Sequence, residues 1–289
     1  MEVMDTELAR VRRWLAGALA GKVAGSDAAE KRDRILMTPG TRWFGEDRPI
    51  RRVHGDAAIF IGGLRALLLQ SLHPLAMAAV AAHSGYRGDP WGRLQRTGVF
   101  LATTTYGTAE DAERAVATVR AVHRHVRGTA PDGRPYSADD PRLLEWVHIA
   151  EVDSFLRCHQ RYGEQPLDDV EADGYVADMA RIATELGVPD PPRTCAELSA
   201  RLQGFRPELA GTPQARAAAR FILFNAPLPL PGRPPYAVLA ATSVAMLPRW
   251  ARWPLRLPYL PLTEATAIRA AGHTLVGTLR WILTTPQEH

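Results

Sequence analysis

Residues 141–161 read PRLLEWVHIAEVDSFLRCHQR, and this stretch decides the fold class. Asp139 or Asp140 is placed to cap a helix, and Pro141 suits the first helical position, where its missing N–H costs nothing. At 100° per residue, Leu144, His148, Glu151, Phe155, His159 and Tyr162 share one broad face. A helix this long with such a face needs other helices to cover it. The segments on either side carry the same 3.6-residue period. The spacing predicts helices over 5–22, 57–72, 75–83, 91–106, 108–126, 168–186, 195–203, 212–224, 235–250 and 263–282. Residues 37–56 and 128–138 read as loops, and no alternating strand pattern stands out. The Pro-dense segment from Pro227 to Pro261 carries Leu, Trp and Tyr and reads as a broken-helix cover. The expectation is an all-α chain.

Composition bounds the function. The chain has 289 residues, 46% of them hydrophobic, which suffices for one large core or two small ones. A formal charge of +4 gives no case for nucleic acid. Two cysteines exclude a thiolate-rich metal site and a disulfide framework. Arg12-Arg13 before a small-residue stretch resembles a twin-arginine signal, but Glu2, Asp5, Glu7 and Lys22 break the pattern, so an amphipathic helix and a cytoplasmic protein are expected. The apolar stretch Ala57 to Ala82 contains Arg65, Gln70, His73 and Pro74, which favours two buried core helices over a membrane span.

Two constellations could carry chemistry. His148 stands among Leu144, Val152 and Phe155, which suits either a hydrogen-bonded core histidine or an axial ligand to a haem. On the helix from Trp91, Arg93, Arg96, Thr97, Phe100 and Thr104 share a face. Turned outward these groups are solvated; turned inward the guanidinium groups need an anion or a polar ligand. Glu145-x-x-His148 has the spacing of a di-iron bundle, but no second copy exists. The H-E-x-x-H, G-x-S-x-G and P-loop patterns are absent. Gly62-Gly63 inside an apolar helix points to close helix packing.

A series of short motifs resembles the haem-dependent oxygenases that include the rubber oxygenase (latex clearing protein) and the MpaB-type oxygenases. The motifs are Leu67-Leu-Leu-Gln-Ser-Leu-His-Pro74, His83-Ser84, Asp89-Pro90, Arg93-Leu-Gln-Arg-Thr97 and Tyr106-Gly107. They continue with His123, Tyr136, Asp140-Pro141, Leu143-Leu-Glu-Trp-Val-His148 and Leu247-Pro248-x-Trp250. The resemblance spans roughly residues 50 to 260. It implies an all-α, single helical domain with a globin-like core enclosing a haem b. On this reading residues 1–50 form an N-terminal helix and loop packed on the core, and residues 51–289 form the haem-binding domain. The resemblance implies His148 as the iron ligand. Arg93, Arg96 and Thr97 match an R-x-x-K-T motif, with Arg where the rubber oxygenase has Lys. His73 is a further pocket candidate, and no pocket carboxylate is assigned. The implied function is an O2-activating oxygenase or oxidase acting on a small apolar organic substrate. The alternatives are a haem-binding sensor or carrier, or a peroxidase-like protein. Polyisoprene cleavage is not expected.

Overall fold

The computed structural model describes residues 27–85 and 88–283. The chain there runs through α1 (Ala28–Met37), α2 (Pro49–Gly55), α3 (Ile59–Gln70), α4 (Pro74–His83), α5 (Pro90–Tyr106) and α6 (Ala109–His125). It continues through α7 (Pro141–Tyr162), α8 (Asp169–Leu186), α9 (Cys195–Gly204), α10 (Pro213–Phe224), α11 (Arg233–Ala245), α12 (Arg249–Leu255) and α13 (Arg269–Leu283). A helical turn at Pro261–Thr263 and a π-turn at Glu264–Ile268 lead into α13. The described residues form a single, almost entirely α-helical domain: the helical class is what the periodicity predicts, and the single domain is what the family resemblance implies. The helix expected over 5–22 lies outside the described residues.

The helix starts follow local chemistry. The Asp140 carboxylate accepts from the Arg142 N–H, Asp89 from Gly92, Thr108 from Asp111 and Thr212 from Ala215. Asp168 and Glu171 form a reciprocal capping box at α8. Each cap satisfies a backbone donor that the first turn leaves without a partner. Prolines open α2, α4, α5, α7 and α10.

Three departures from the sequence reading have tertiary causes. Residues 37–56 are not all loop, because α2 forms within them. Its seven residues carry too little period to be read. Tertiary anchors hold it instead: Ile50 and Val53 are fully buried, and Arg48 pairs with Asp178 at 2.5 Å. The segment 128–138 contains a short antiparallel hairpin, β1 (Arg127–Thr129) with β2 (Pro135–Ser137), in which Gly128 faces Tyr136. A Cβ at Gly128 would lie 2.5 Å from the Tyr136 hydroxyl, so the glycine makes room for that ring. Finally, the helix expected over 235–250 breaks at Leu247-Pro248 into α11 and α12.

The antiparallel pair α3 and α7 is the spine of the core. Gly62 lies against Phe155, and at the other end the Gln70 amide donates to the Val147 carbonyl at 3.0 Å. The Trp146 indole N–H donates to the Gln70 carbonyl at 3.1 Å. In the middle, the buried Arg65 guanidinium meets Asp153 at 2.7 Å, the Ser154 hydroxyl at 2.6 Å and the Met246 carbonyl at 2.8 Å. α4 follows α3 at a bend of 107°, and no single helix among the described residues is long and apolar enough to cross a membrane.

The two adjacent glycines of α3 have opposite roles. A Cβ on Gly62 would sit 2.7 Å from Phe155 Cδ1 and 3.2 Å from its Cα, so Gly62 sets the closeness of α3 to α7. A Cβ on Gly63 meets no heavy atom within 4 Å. Gly62→Ala is expected to lower stability by about 1–3 kcal/mol through overpacking. Gly63→Ala is expected to raise it by about 0.5–1 kcal/mol through helix propensity. Urea unfolding of both variants checks the pair. Equal effects would show that the close approach is not centred on Gly62.

Candidate functional site

α7 carries His148 into the interior, where 8% of its surface remains accessible. Its Nε2 is buried with no hydrogen-bond partner. Burial pulls the ring down from 6.5 to about 4, so it is neutral at pH 7. An orphaned imidazole nitrogen is costly in a finished core, and it is also the form of histidine that binds a metal. Glu145, three residues earlier, is already engaged: its carboxylate meets Arg142 at 3.2 Å and Arg201 at 3.0 Å. The Glu145-x-x-His148 spacing thus serves an ion-pair network on one side and an open nitrogen on the other.

One turn further along α7, Glu151 keeps part of its surface accessible. It nevertheless lies deep enough for desolvation to push its carboxyl up from 4.5 to about 7. The neighbouring Tyr175 phenol, on α8, is held well above its usual range by burial and by the charge of Glu151. The Tyr175 hydroxyl lies 3.4 Å from His54 Nε2, and His54 Nδ1 lies 2.8 Å from Thr105 Oγ1. Burial drives His54 down to about 3, with a smaller push from His159. A neutral His54 donates through one of these nitrogens and accepts through the other, and both hydroxyls can complete either arrangement. A polar file thus crosses the core from α7 through α8 and α2 to α5. The His54 ring is edge-on to Phe155 at 5.5 Å. None of Glu151, Tyr175, His54 or Thr105 stood out as a site residue in the sequence. The one legible signal was an acid three residues after His148 on an otherwise apolar face.

α5 presents the arginines at its first half. Arg93 is half-buried and donates to the Ser84 hydroxyl at 3.0 Å. Arg96 is exposed and 3.4 Å from the capping carboxylate of Asp89. Thr97 is exposed, and its hydroxyl donates to the Arg93 carbonyl at 3.1 Å. Phe100 packs on the core and Thr104 is buried. The shared face therefore runs from solvent at Arg96 to the interior at Thr104. Hydrogen bonds tie the end of α5 to α2: Thr105 to His54, and the Tyr106 hydroxyl to the Arg51 carbonyl at 2.9 Å.

His73 has a structural task. Its Nδ1 caps α4 by accepting from the Ala76 N–H at 3.5 Å, while its Nε2, 3.5 Å from a Glu208 carboxylate oxygen, is buried without a hydrogen-bond partner. The ring lies near Trp146 and Phe205. Several other motif residues also act as scaffold, among them His83, whose Nε2 is 3.1 Å from the Tyr136 hydroxyl. Cys158 is buried, and burial pushes its thiol up to about 12. A second histidine, His123 on α6, lines a cleft of about 210 Å³ with Arg120, Arg124, Asp139 and Leu144. Burial lowers its pKa against the pull of Asp139.

Among the described residues no three His, Cys, Asp or Glu side chains gather as a metal cage. His73 Nε2 and His159 Nδ1 are also buried without a partner, but each of those rings is tied through its other nitrogen, to the Ala76 N–H and the Gln165 carbonyl. The His148 nitrogen suits a metal that brings its remaining ligands with it, as a haem does. The residues around His148 fit that group: buried apolar neighbours in Val152 and Phe155, an unpartnered nitrogen and a partly accessible carboxyl one turn away.

The profile of a family described as ER-bound oxygenase mpaB/B'/rubber oxygenase, catalytic domain, matches residues 51–281. Two uncharacterized proteins, from Mycobacterium bovis and Mycobacterium tuberculosis, are each 38% identical over 102 residues. Those matches span 35% of this chain and 39% of each relative. No solved structure matches the chain.

Proposed function

Because the chain belongs to this mpaB/rubber oxygenase catalytic-domain family, we propose that it is a haem b-dependent oxygenase or oxidase of a small apolar organic substrate, with His148 holding the iron. The orphaned Nε2 of His148 carries the reading. The bound haem would supply O2 activation. His148 enters already neutral, so no proton has to leave before ligation. Glu151, at about 7, sits where it can take up or release a proton beside the substrate. Phe155 and the neighbouring apolar side chains exclude water and favour an apolar guest. Arg93 and Arg96 stand at the outer half of α5 as donors for an anionic group such as a propionate or for polarised oxygen, with Thr97 beside them.

A hemin titration followed by absorption tests the assignment. Wild-type protein is expected to develop a Soret band, and His148→Ala to lose it while keeping its helical circular dichroism. No band in wild type overturns the haem reading. Loss of the band in His123→Ala, with His148→Ala unchanged, moves the ligand to α6 and its arginine-lined cleft. Substrate-dependent O2 uptake then separates an oxygenase or oxidase from a carrier.

A further inference from the structure

Charge is distributed unevenly along this chain. Residues 209–283 hold eight arginines and a single acid, Glu264, while the whole chain is only +4. The remainder is therefore net acidic. Glu264 is itself neutralised by Arg252 at 2.6 Å, and Arg280 is held by Asp56 at 2.7 Å. Arg220, Arg233, Arg249, Arg256 and Arg269 are exposed, and no carboxylate among the described residues pairs with them.

The same region exposes large apolar side chains within a short span. Trp253 on α12 is 88% exposed and Leu262 is 83% exposed, with Leu260 at 51% and Tyr259 at 44% between them. The span is fixed, not loose. Glu264 accepts from the buried Arg252 and from the Leu260 N–H at 2.9 Å, and it returns its own N–H to the Leu260 carbonyl at 2.8 Å. The Arg249 and Arg252 guanidinium groups lie over the Tyr259 ring at 4.5 and 5.1 Å. α12 ends on Arg256 at φ 57°, the only positive φ of a non-glycine among the described residues. That conformation is unfavourable for a non-glycine residue and sharply reverses the chain. The fold-back buries Arg252 and leaves Trp253 and Leu262 outside.

We propose that this segment, residues 249–263, docks on an anionic lipid surface, with Trp253, Tyr259, Leu260 and Leu262 entering the interface and Arg249 and Arg256 meeting the headgroups. Exposed apolar side chains on a rigid loop are left dry by a bilayer interface, where Trp and Tyr are favoured. Unneutralised arginines select anionic headgroups, and their aliphatic stems let the charge stay at headgroup level. A second copy seated on the same segment would bring Arg249 and Arg256 of both chains together with no free carboxylate between them, which argues against self-association. The inference stands on different residues from the haem reading and does not depend on it.

Co-sedimentation of the full chain with vesicles tests it. Vesicles of phosphatidylcholine with phosphatidylserine are expected to retain the protein about tenfold or more over phosphatidylcholine alone, and high salt should release most of it. Trp253→Ser/Leu262→Ser is expected to weaken partitioning about tenfold or more at low salt. Arg249→Glu/Arg256→Glu should remove the preference for anionic lipid. All four side chains are exposed, and unchanged thermal melts confirm that the variants fold. Wild-type protein that ignores both vesicles overturns the proposal, as do variants that bind like wild type. A concentration-dependent dimer abolished by Trp253→Ser/Leu262→Ser overturns it in favour of a second copy.

Discussion

Asp153→Ala should lower the free energy of unfolding by about 3–5 kcal/mol. The carboxylate is 6% exposed and faces Arg65, which is 1% exposed, across the α3–α7 contact. Removing it leaves a guanidinium deep in the core with the Ser154 hydroxyl and the Met246 carbonyl but no counter-charge. Arg157, 2.6 Å from Asp153 but itself half-exposed, can turn to solvent, so the loss falls on Arg65. The penalty exceeds what the pair contributes over an apolar replacement, because a buried pair also carries the desolvation of both ions. Arg65→Met/Asp153→Leu is therefore expected to recover most of the loss. Urea unfolding of the single and double variants gives the comparison. A single variant within about 1 kcal/mol of wild type would show that solvent reaches this pair and that it does not lock the spine.

Glu151→Gln has the largest expected effect on activity, a fall in kcat of about 10²–10⁴-fold, the usual range for removing a general acid or base. A base at this position works when ionised, so wild-type turnover should rise through pH 7, the value to which burial pushes the carboxyl. The glutamine variant should lose that rise while still developing the Soret band. Stability should move the other way. The folded chain keeps the Glu151 proton up to about 7, whereas the unfolded chain releases it near 4.5. Between those values the folded state binds more protons, so stability falls as pH rises and the full loss is present above pH 7. Glu151→Gln removes that loss and should be about 2–3 kcal/mol more stable than wild type at pH 8 in the haem-free protein. A carboxyl that lowers stability where it is ionised is expected of a working group. If the variant is as active as wild type, or less stable at pH 8, Glu151 is only a packing residue.

What the sequence made legible was local. α7 could be placed from Asp140, Pro141 and the spacing of Leu144, His148 and Phe155, because caps and periodicity act within a few residues. α2 and the 127–137 hairpin could not, since Asp178 holds the first and the fit of Tyr136 over Gly128 accompanies the second. The same division runs through the site. His148 stood out as the polar exception on an apolar face. The file from Glu151 to Thr105 did not, because four helices each contribute one residue and no spacing encodes their meeting. The shared face of Arg93, Arg96 and Thr97 follows from periodicity, but where that face looks depends on the neighbours of α5. That His73 caps α4 through Nδ1 and keeps a buried, unpartnered Nε2 is likewise set by the fold, not by Leu-His-Pro itself.

α5 is anchored unevenly. At its C-terminal end Thr104 and Thr105 are buried, and the Tyr106 carbonyl accepts from Arg42, which also reaches the carbonyls of Ile35 and Leu36 at the end of α1. At its other end Arg93 donates to the Ser84 hydroxyl and Trp91 to the Pro227 carbonyl, while the exposed Arg96 pairs with the helix's own cap, Asp89. Mechanically this is a cantilever clamped at Tyr106. Its opening free energy rises along its length, lowest at Trp91 and highest at the clamp. Movement at the outer, less buried end would leave the His54–Thr105 contact closed. The helix would then return to the same register each time.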